Sequence, residues 1–281
     1  MRLTVNKYGL IGWPVSHSLS PPMQNAGFKA AGINAEYSLV EVSPDRMNEV
    51  IPQMKREFCG WNCTVPHKQH IIEFLDNIDE TAKVLGSVNT VVNKNGHLTG
   101  YSTDGYGMEK SIQESFGQKV NGNSFLFIGS GGAARAVALY FSIIGAAKIA
   151  ILNRTVSKAE ALAEEIKELD KGVSIVCDNM DAEKIDVGNY NVIIQCTSLG
   201  LHEGDPSPFN IDKINKDQFV VDMIYKKTEF LKKAEEKGCT VTDGRGMLLY
   251  QGVKAWEIWT GQKAPVEAMR SALENAMNQG N

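Results

Sequence analysis

The stretch FLFIGSGGAARAVAL, residues 125–139, constrains the fold of this chain more than any other. An apolar, strand-like run ends in Gly129-Ser130-Gly131-Gly132-Ala133-Ala134, which fits G-x-G-x-x-A, and an Ala-rich helical pattern follows at once. Glycines in such a turn let backbone N–H groups approach a pyrophosphate, and the start of the helix favours its negative charge. A flexible Gly-rich turn explains the glycines but not their place between a strand and a helix. The same strand–turn–helix unit points to an α/β sheet.

The rest of the sequence keeps that rhythm. The Ala-rich helix runs to Ile144, KIAILN reads as the next strand, and a helix is expected from Ser157 to Leu169. SIVC, NVIIQCT, FVVDMIY and CTVTDG read as further buried strands. Upstream, KYGLIG and AEYSLVEV read as strands around a helix from Ser20 to Ala31, and another helix is expected from Asp45 to Glu57. GWNCTV reads as a strand before a helix-like run, KQHIIEFL. NTVVN and HLTGY form a hairpin through Lys94-Asn95-Gly96. GMLLYQGVKAWEIW and PVEAMRSALENAM close the chain as helices. The predicted class is α/β in two domains, divided near Thr103 to Gly107, with the last two helices attachable to either half.

Composition narrows the function. At 281 residues, with 43% hydrophobic and 22% charged residues, the chain has ordinary globular usage and room for two domains. A net charge of −4, with both signs interspersed, argues against nucleic acid or an anionic membrane as partner. No apolar run reaches spanning length, and the N-terminus lacks a signal peptide's apolar core. Five scattered cysteines suggest reduced thiols in a cytoplasmic protein.

The cofactor is chosen at the end of the strand after the glycines. An NAD site usually carries a carboxylate there for the ribose 2′-hydroxyl. Here the chain reads ILNRTVSK, with Asn153, Arg154, Thr155, Ser157 and Lys158. Two cations and two hydroxyls suit a 2′-phosphate, which Arg154 can grip through two nitrogens, so NADP is favoured. Thr155 or Ser157 can cap the following helix as well.

The other half must then supply a substrate site. HSLSPP places Ser18 and Ser20 before two prolines. Ser20-Pro21 reads as an N-cap with proline in the first turn, yet paired hydroxyls at a helix start also suit a carboxylate. Cys59, Cys63, His67 and His70 have no spacer between the cysteine and histidine pairs, and the cysteines sit at either end of a strand, so no metal is expected. Lys68 begins an apparent helix, where the dipole disfavours a cation. In a cleft, that and desolvation both lower its pKa toward acid–base use. Asp104, in GYSTDGYG, is its candidate partner; otherwise it is a turn aspartate before glycine.

These pieces, in this order, resemble the shikimate dehydrogenase family across essentially the whole chain. The resemblance rests on GWPVSHSLSP at 12–21, GWNCTVPHK at 60–68, SVNT at 87–90 and STDGYG at 102–107. GSGGA at 129–133, NRT at 153–155 and GRGMLLYQ at 244–251 complete it. It implies an NADP-dependent enzyme reducing 3-dehydroshikimate to shikimate in aromatic amino-acid biosynthesis. It also implies a substrate domain at 1–104, a Rossmann-like NADP domain at 105–245, and helices at 246–281 returning to the substrate domain. The implied roles are the substrate carboxylate for Ser18 and Ser20, and ring hydroxyls for Thr64, Asn89 and Gln251. Lys68 and Asp104 also contact hydroxyls and form the catalytic pair, with either able to be the acid–base. Tyr225 lies nearby, Met223 and Gly244 border the nicotinamide, and residues 129–133 and 153–158 hold the rest of the cofactor. The chain is expected to be a monomer or homodimer.

Ser102 stands where the family usually has Asn, Gln24 where it has His, and Gln195 where it has Asn; the loop after Tyr225 is short. Ser102 is expected to fix the turn presenting Asp104. The rival readings are a quinate/shikimate dehydrogenase using either nicotinamide, another Rossmann dehydrogenase of the amino-acid type, and a non-catalytic ligand sensor on the same fold.

Overall fold

The computed structural model describes residues 5–170 and 172–279. The chain forms two compact units, one of residues 1–103 with 249–281 and the other of residues 104–248.

In the first unit, β1 (Asn6–Gly12), α1 (Ser20–Ala30), β2 (Ala35–Glu41), α2 (Met47–Glu57) and β3 (Gly60–Cys63) alternate strand and helix. A short α3 (His67–His70), β4 (Asn77–Ile78), α4 (Glu80–Leu85) and the hairpin β5 (Thr90–Lys94) and β6 (His97–Tyr101) follow. The sheet order is β2-β1-β3-β5-β6-β4, with β5 antiparallel to both of its neighbours. Ile11, Ile51, Trp61, Ile71, Val91 and Leu98 are part of one apolar core. KQHIIEFL is not a single helix, because α3 passes into a 3-10 turn at Ile71–Phe74. The helix expected from Asp45 likewise starts as a 3-10 turn and becomes α-helical at Met47.

Ser20 does not cap α1. The helix begins at Ser20 itself, and the preceding Leu19 makes no side-chain capping bond. A capping hydroxyl takes the N–H two or three residues on, and Pro22 has none to offer at the first of those positions. The Ser18 hydroxyl instead accepts the Ser20 N–H at 3.2 Å.

The second unit contains α5 (Asp104–Phe116), β7 (Ser124–Ile128), α6 (Gly132–Ile143), β8 (Lys148–Leu152), α7 (Val156–Leu169) and β9 (Ser174–Asp178). After these come β10 (Val192–Gln195), β11 (Phe219–Asp222), α8 (Glu229–Glu236) and β12 (Thr240–Thr242). All its strands are parallel, in the order β9-β8-β7-β10-β11-β12. This is the 3-2-1-4-5-6 order of dinucleotide-binding sheets, whose ligand crevice opens where the order reverses, here between β7 and β10. The strands β7 and β10 are buried throughout. SIVC and CTVTDG, expected as buried strands, are partly exposed instead, because β9 and β12 are the two edges and lack a neighbour on one side.

α9 (Arg245–Thr260) carries the chain back into the first unit, where α10 (Val266–Gln279) packs on α1. There Trp256 lies against Phe28, with ring centroids 5.9 Å apart. Trp259 donates from Nε1 to the Val91 carbonyl at 2.9 Å. Gly60 permits that approach, since a Cβ there would stand 2.5 Å from Trp259 Nε1. No helix among the described residues is long and apolar enough to cross a membrane.

Candidate active site

Parallel pairing of β1 with β3 sets Ile11 opposite Cys63, so the segments leaving the two strands emerge side by side. Thr64 N–H donates to the Ile11 carbonyl at 2.9 Å, and Trp13 N–H to the Val65 carbonyl at 3.0 Å. A Cβ on Gly12 would lie 2.4 Å from Thr64 Cγ2. The stretch at 12–21 and the stretch at 60–68, far apart in sequence, therefore share one edge of the first unit. Lys68, half-buried in α3, accepts the Val88 N–H on its carbonyl at 2.8 Å, which sets it next to the segment carrying Asn89. Its ammonium favours the Cys63 thiolate, but burial outweighs this and pushes that thiol up.

A buried chain of hydrogen bonds runs beneath these residues. Ser20, only 6% exposed, bonds to the Tyr37 hydroxyl, which donates to Asn62 Oδ1 at 2.8 Å. Asn62 Nδ2 donates to the Asn89 carbonyl and to Thr90 Oγ1, both at 3.0 Å. Thr90 donates to Asn89 Oδ1 at 3.0 Å, and Asn89 Nδ2 donates to Thr103 Oγ1 at 2.9 Å. Asn89 Oδ1 also accepts the Thr103 N–H at 2.9 Å. In a low-dielectric interior such a satisfied network fixes one arrangement of its members.

Tyr37, Asn62, Thr90 and Thr103 carry no role in the sequence reading. Asn62 had a signal, a polar residue inside an apolar strand; Tyr37 had none. The network also corrects the expectation for Ser102, whose hydroxyl is buried without a hydrogen-bond partner. Thr103, through Asn89, fixes the turn before Asp104. Gln251 is half-buried in α9, beside Gly252, whose carbonyl accepts from the fully buried Gln24 at 3.0 Å. The Gln24 substitution thus anchors the helix turn that carries Gln251.

The remaining candidates lie in the second unit. Asp104 is the first residue of α5 and 4% exposed. Gly129 has φ +104°, a conformation open to glycine, and its N–H donates to the Leu152 carbonyl at 2.7 Å. The Ser130 hydroxyl is buried with no partner, and α6 starts at Gly132, with Gly131 at its N-cap and no side-chain capping bond. Nothing stands within 4 Å of a Cβ built on Gly131 or Gly132, so the cradle is open. Ala133 is exposed at the start of α6. Asn153 Nδ2 donates to the Thr155 carbonyl at 2.8 Å, folding the segment beyond β8. Arg154, Thr155, Ser157 and Lys158 are exposed, and Thr155 makes no capping bond to α7. Met223 and Gly244 are in contact, with the Gly244 N–H donating to the Ile224 carbonyl at 2.9 Å. Tyr225 is 44% exposed.

The family model described as the shikimate dehydrogenase substrate binding domain matches residues 10–91. That of shikimate / quinate 5-dehydrogenase matches 110–222, and that of the shikimate 5'-dehydrogenase C-terminal domain matches 244–274. The shikimate dehydrogenase (NADP(+)) of Aquifex aeolicus (strain VF5) is 44% identical over 269 residues, covering 95% of this chain and 96% of that protein. The chain belongs to the shikimate dehydrogenase family. Two solved shikimate dehydrogenases share its fold. One, in complex with NADP+, is 38% identical with a TM-score of 0.88, covering 96% of this chain and 95% of the other. The second, from Thermus thermophilus in complex with NADP(H) and shikimate, is 30% identical with a TM-score of 0.86, covering 97% and 100%. Within this shikimate dehydrogenase family member, Ser18, Ser20, Thr64, Lys68, Asn89 and Gln251 fall in the first unit, and Asp104, Tyr225 and the glycine turn in the second.

Proposed function

We propose that this chain catalyses the reversible, NADP-dependent reduction of 3-dehydroshikimate to shikimate, a step of aromatic amino-acid biosynthesis. The observation that carries the reading is the placing of the segments at 12–21 and 60–68 side by side, in a chain of this family. Ser18 and Ser20 bind the carboxylate, and Thr64, Asn89 and Gln251 bind ring hydroxyls. Lys68 and Asp104 handle the proton at the reacting oxygen, and Tyr225 contributes to the substrate site. Residues 1–104 serve the substrate, 105–245 the cofactor, and 246–281 complete the substrate domain. The protein acts in the cytoplasm, as a monomer or homodimer.

The residues present fit NADP. The orphaned Ser130 hydroxyl and the open glycine cradle suit a pyrophosphate, and the exposed cations at 154 and 158 suit a 2′-phosphate. When bound, NADPH supplies the hydride. The protein's own share is to hold the ketone, keep the hydroxyls in register and deliver one proton.

The test is an assay of NADPH or NADH formation with shikimate or quinate, each with NADP+ or NAD+. Turnover confined to shikimate with NADP+ supports the reading. Turnover of quinate with NAD+ at a similar rate replaces it by the broader dehydrogenase, and ligand binding without turnover replaces it by the sensor.

A further inference from the structure

Two neighbouring strands of the second unit end in fully buried polar residues. Gln195 closes β10 and Asp222 closes β11; they stand opposite each other in the parallel register, and each is 0% exposed. Buried polar groups persist where their hydrogen bonds are met, and these two meet theirs on the loops that follow. Gln195 Oε1 accepts the Thr197 N–H, while Nε2 donates to the Thr197 carbonyl at 3.1 Å and the Leu199 carbonyl at 3.0 Å. Its third contact is Asp222 Oδ1 at 3.5 Å. Asp222 Oδ1 accepts the Ile224 N–H at 3.0 Å, and Oδ2 accepts the Thr228 hydroxyl at 2.7 Å. Thr228 in turn caps α8 by accepting the Leu231 N–H at 3.3 Å.

The folded loops touch the proposed cofactor residues. A Cβ on Gly129 would stand 3.0 Å from Thr197 Cγ2, and one on Gly244 would stand 2.2 Å from the Met223 carbonyl oxygen. We infer that Gln195 and Asp222 form a buried clamp, positioning residues that hold the Thr197–Leu199 turn and the Met223–Tyr225 segment in the shape that receives the cofactor. The clamp rests on the NADP reading above. Neither polar side chain is needed to complete a strand, since the residues before them in β10 and β11 are Val, Ile and Phe. Both sit at the carboxyl ends of the strands, where open α/β sheets bind their ligands. The clamp lies away from Arg154, so it sets affinity for the nicotinamide dinucleotides without setting the choice between them.

The experiment uses the full chain, with NADPH binding followed by fluorescence and melting measured in parallel. Gln195→Met keeps the side-chain volume and removes the loop bonds. It is expected to raise the NADPH Kd about tenfold, with the shikimate KM within about twofold and the NADP-to-NAD preference unchanged. Asp222→Ala is expected to cost as much, and Asp222→Asn to recover most of it, because the amide oxygen still accepts the Ile224 N–H. A lower melting temperature with wild-type NADPH affinity in Gln195→Met overturns the clamp. If that variant does not fold, equal NADPH affinity in the Asp222→Ala and Asp222→Asn pair overturns it instead. A wild-type chain that binds neither NADPH nor NADH sinks the cofactor reading itself, and the clamp with it.

Discussion

Lys68 and Arg154 are cations in different settings, half-buried and exposed, and their variants fail in different ways. Lys68→Met is expected to lower kcat by about 10²–10⁴-fold, the usual weight of a general acid–base group, with shikimate affinity largely kept. Wild-type turnover in that variant removes Lys68 from the chemistry. Arg154→Ala loses a charge-assisted bond worth about 1.5–3 kcal/mol, so KM for NADP+ should rise by about 10- to 100-fold while NAD+ kinetics hold. An equal loss with both cofactors would assign Arg154 to the fold. Ser20 separates binding from stability more sharply. It makes no capping bond, and Tyr37 keeps its bond to Asn62 without it. Ser20→Ala should therefore raise the shikimate KM and change stability by less than about 1 kcal/mol. A fall in melting temperature at constant KM would contradict this. Single residues such as Arg154 and Lys68 are legible in the sequence because their charge is unusual for their offset from a glycine turn or a helix start. Ser20 is not, because a serine before two prolines has two uses, and only the fold shows that it opens α1 as its first residue instead of capping it.

At the scale of elements, what is legible follows burial. The apolar runs of β7, β8, β10 and β11 announce strands with neighbours on both sides, whereas SIVC and CTVTDG, read as buried strands too, lie at edges. Strand order comes from pairing across the sheet, which no local run encodes. The short helices α4 and α8 are absent from the sequence reading although each has a cap, Asp79 accepting from Thr81 N–H and Thr228 from Leu231 N–H. The buried end of β11 makes a pH prediction. Burial pushes the Asp222 carboxyl up to about 6 from its ordinary 3.8, against the pull of the Ile224, Thr228 and Gln195 donors, and nearby Asp243 adds to the rise. The folded state then holds more protons than the unfolded chain between about pH 4 and 6, so the stability from neutral Asp222 is present below pH 4 and lost as pH rises through 6. A rise of that size corresponds to about 3 kcal/mol. Denaturant unfolding of wild type and Asp222→Asn across this range should show the wild type losing ground to the variant as pH rises, then a constant gap. A gap independent of pH would mean that Asp222 is not perturbed.

Across the whole molecule, the second unit is one continuous stretch of chain, while the first is assembled from two pieces separated by the entire second unit. Its core therefore depends on contacts that no local pattern announces. Gly27 of α1 leaves room for Trp256 and Met269, since a Cβ there would stand 3.0 Å from Trp256 Nε1 and 3.1 Å from Met269 Cγ. Trp256 is fully buried and also meets Phe28. Trp256→Ala leaves a cavity at this closure, and truncations of this kind cost about 3–5 kcal/mol. Because the residue belongs to the first unit, the damage should appear in the substrate half of the function. The variant is expected to melt earlier and to show a raised shikimate KM, while NADPH, at about 100 times its Kd, still stabilises the chain by roughly 2.7 kcal/mol as in wild type. The measurement is thermal unfolding with and without NADPH, beside steady-state kinetics below the melting range. Loss of the NADPH effect in the folded variant would show that the two units do not bind their ligands as separate bodies.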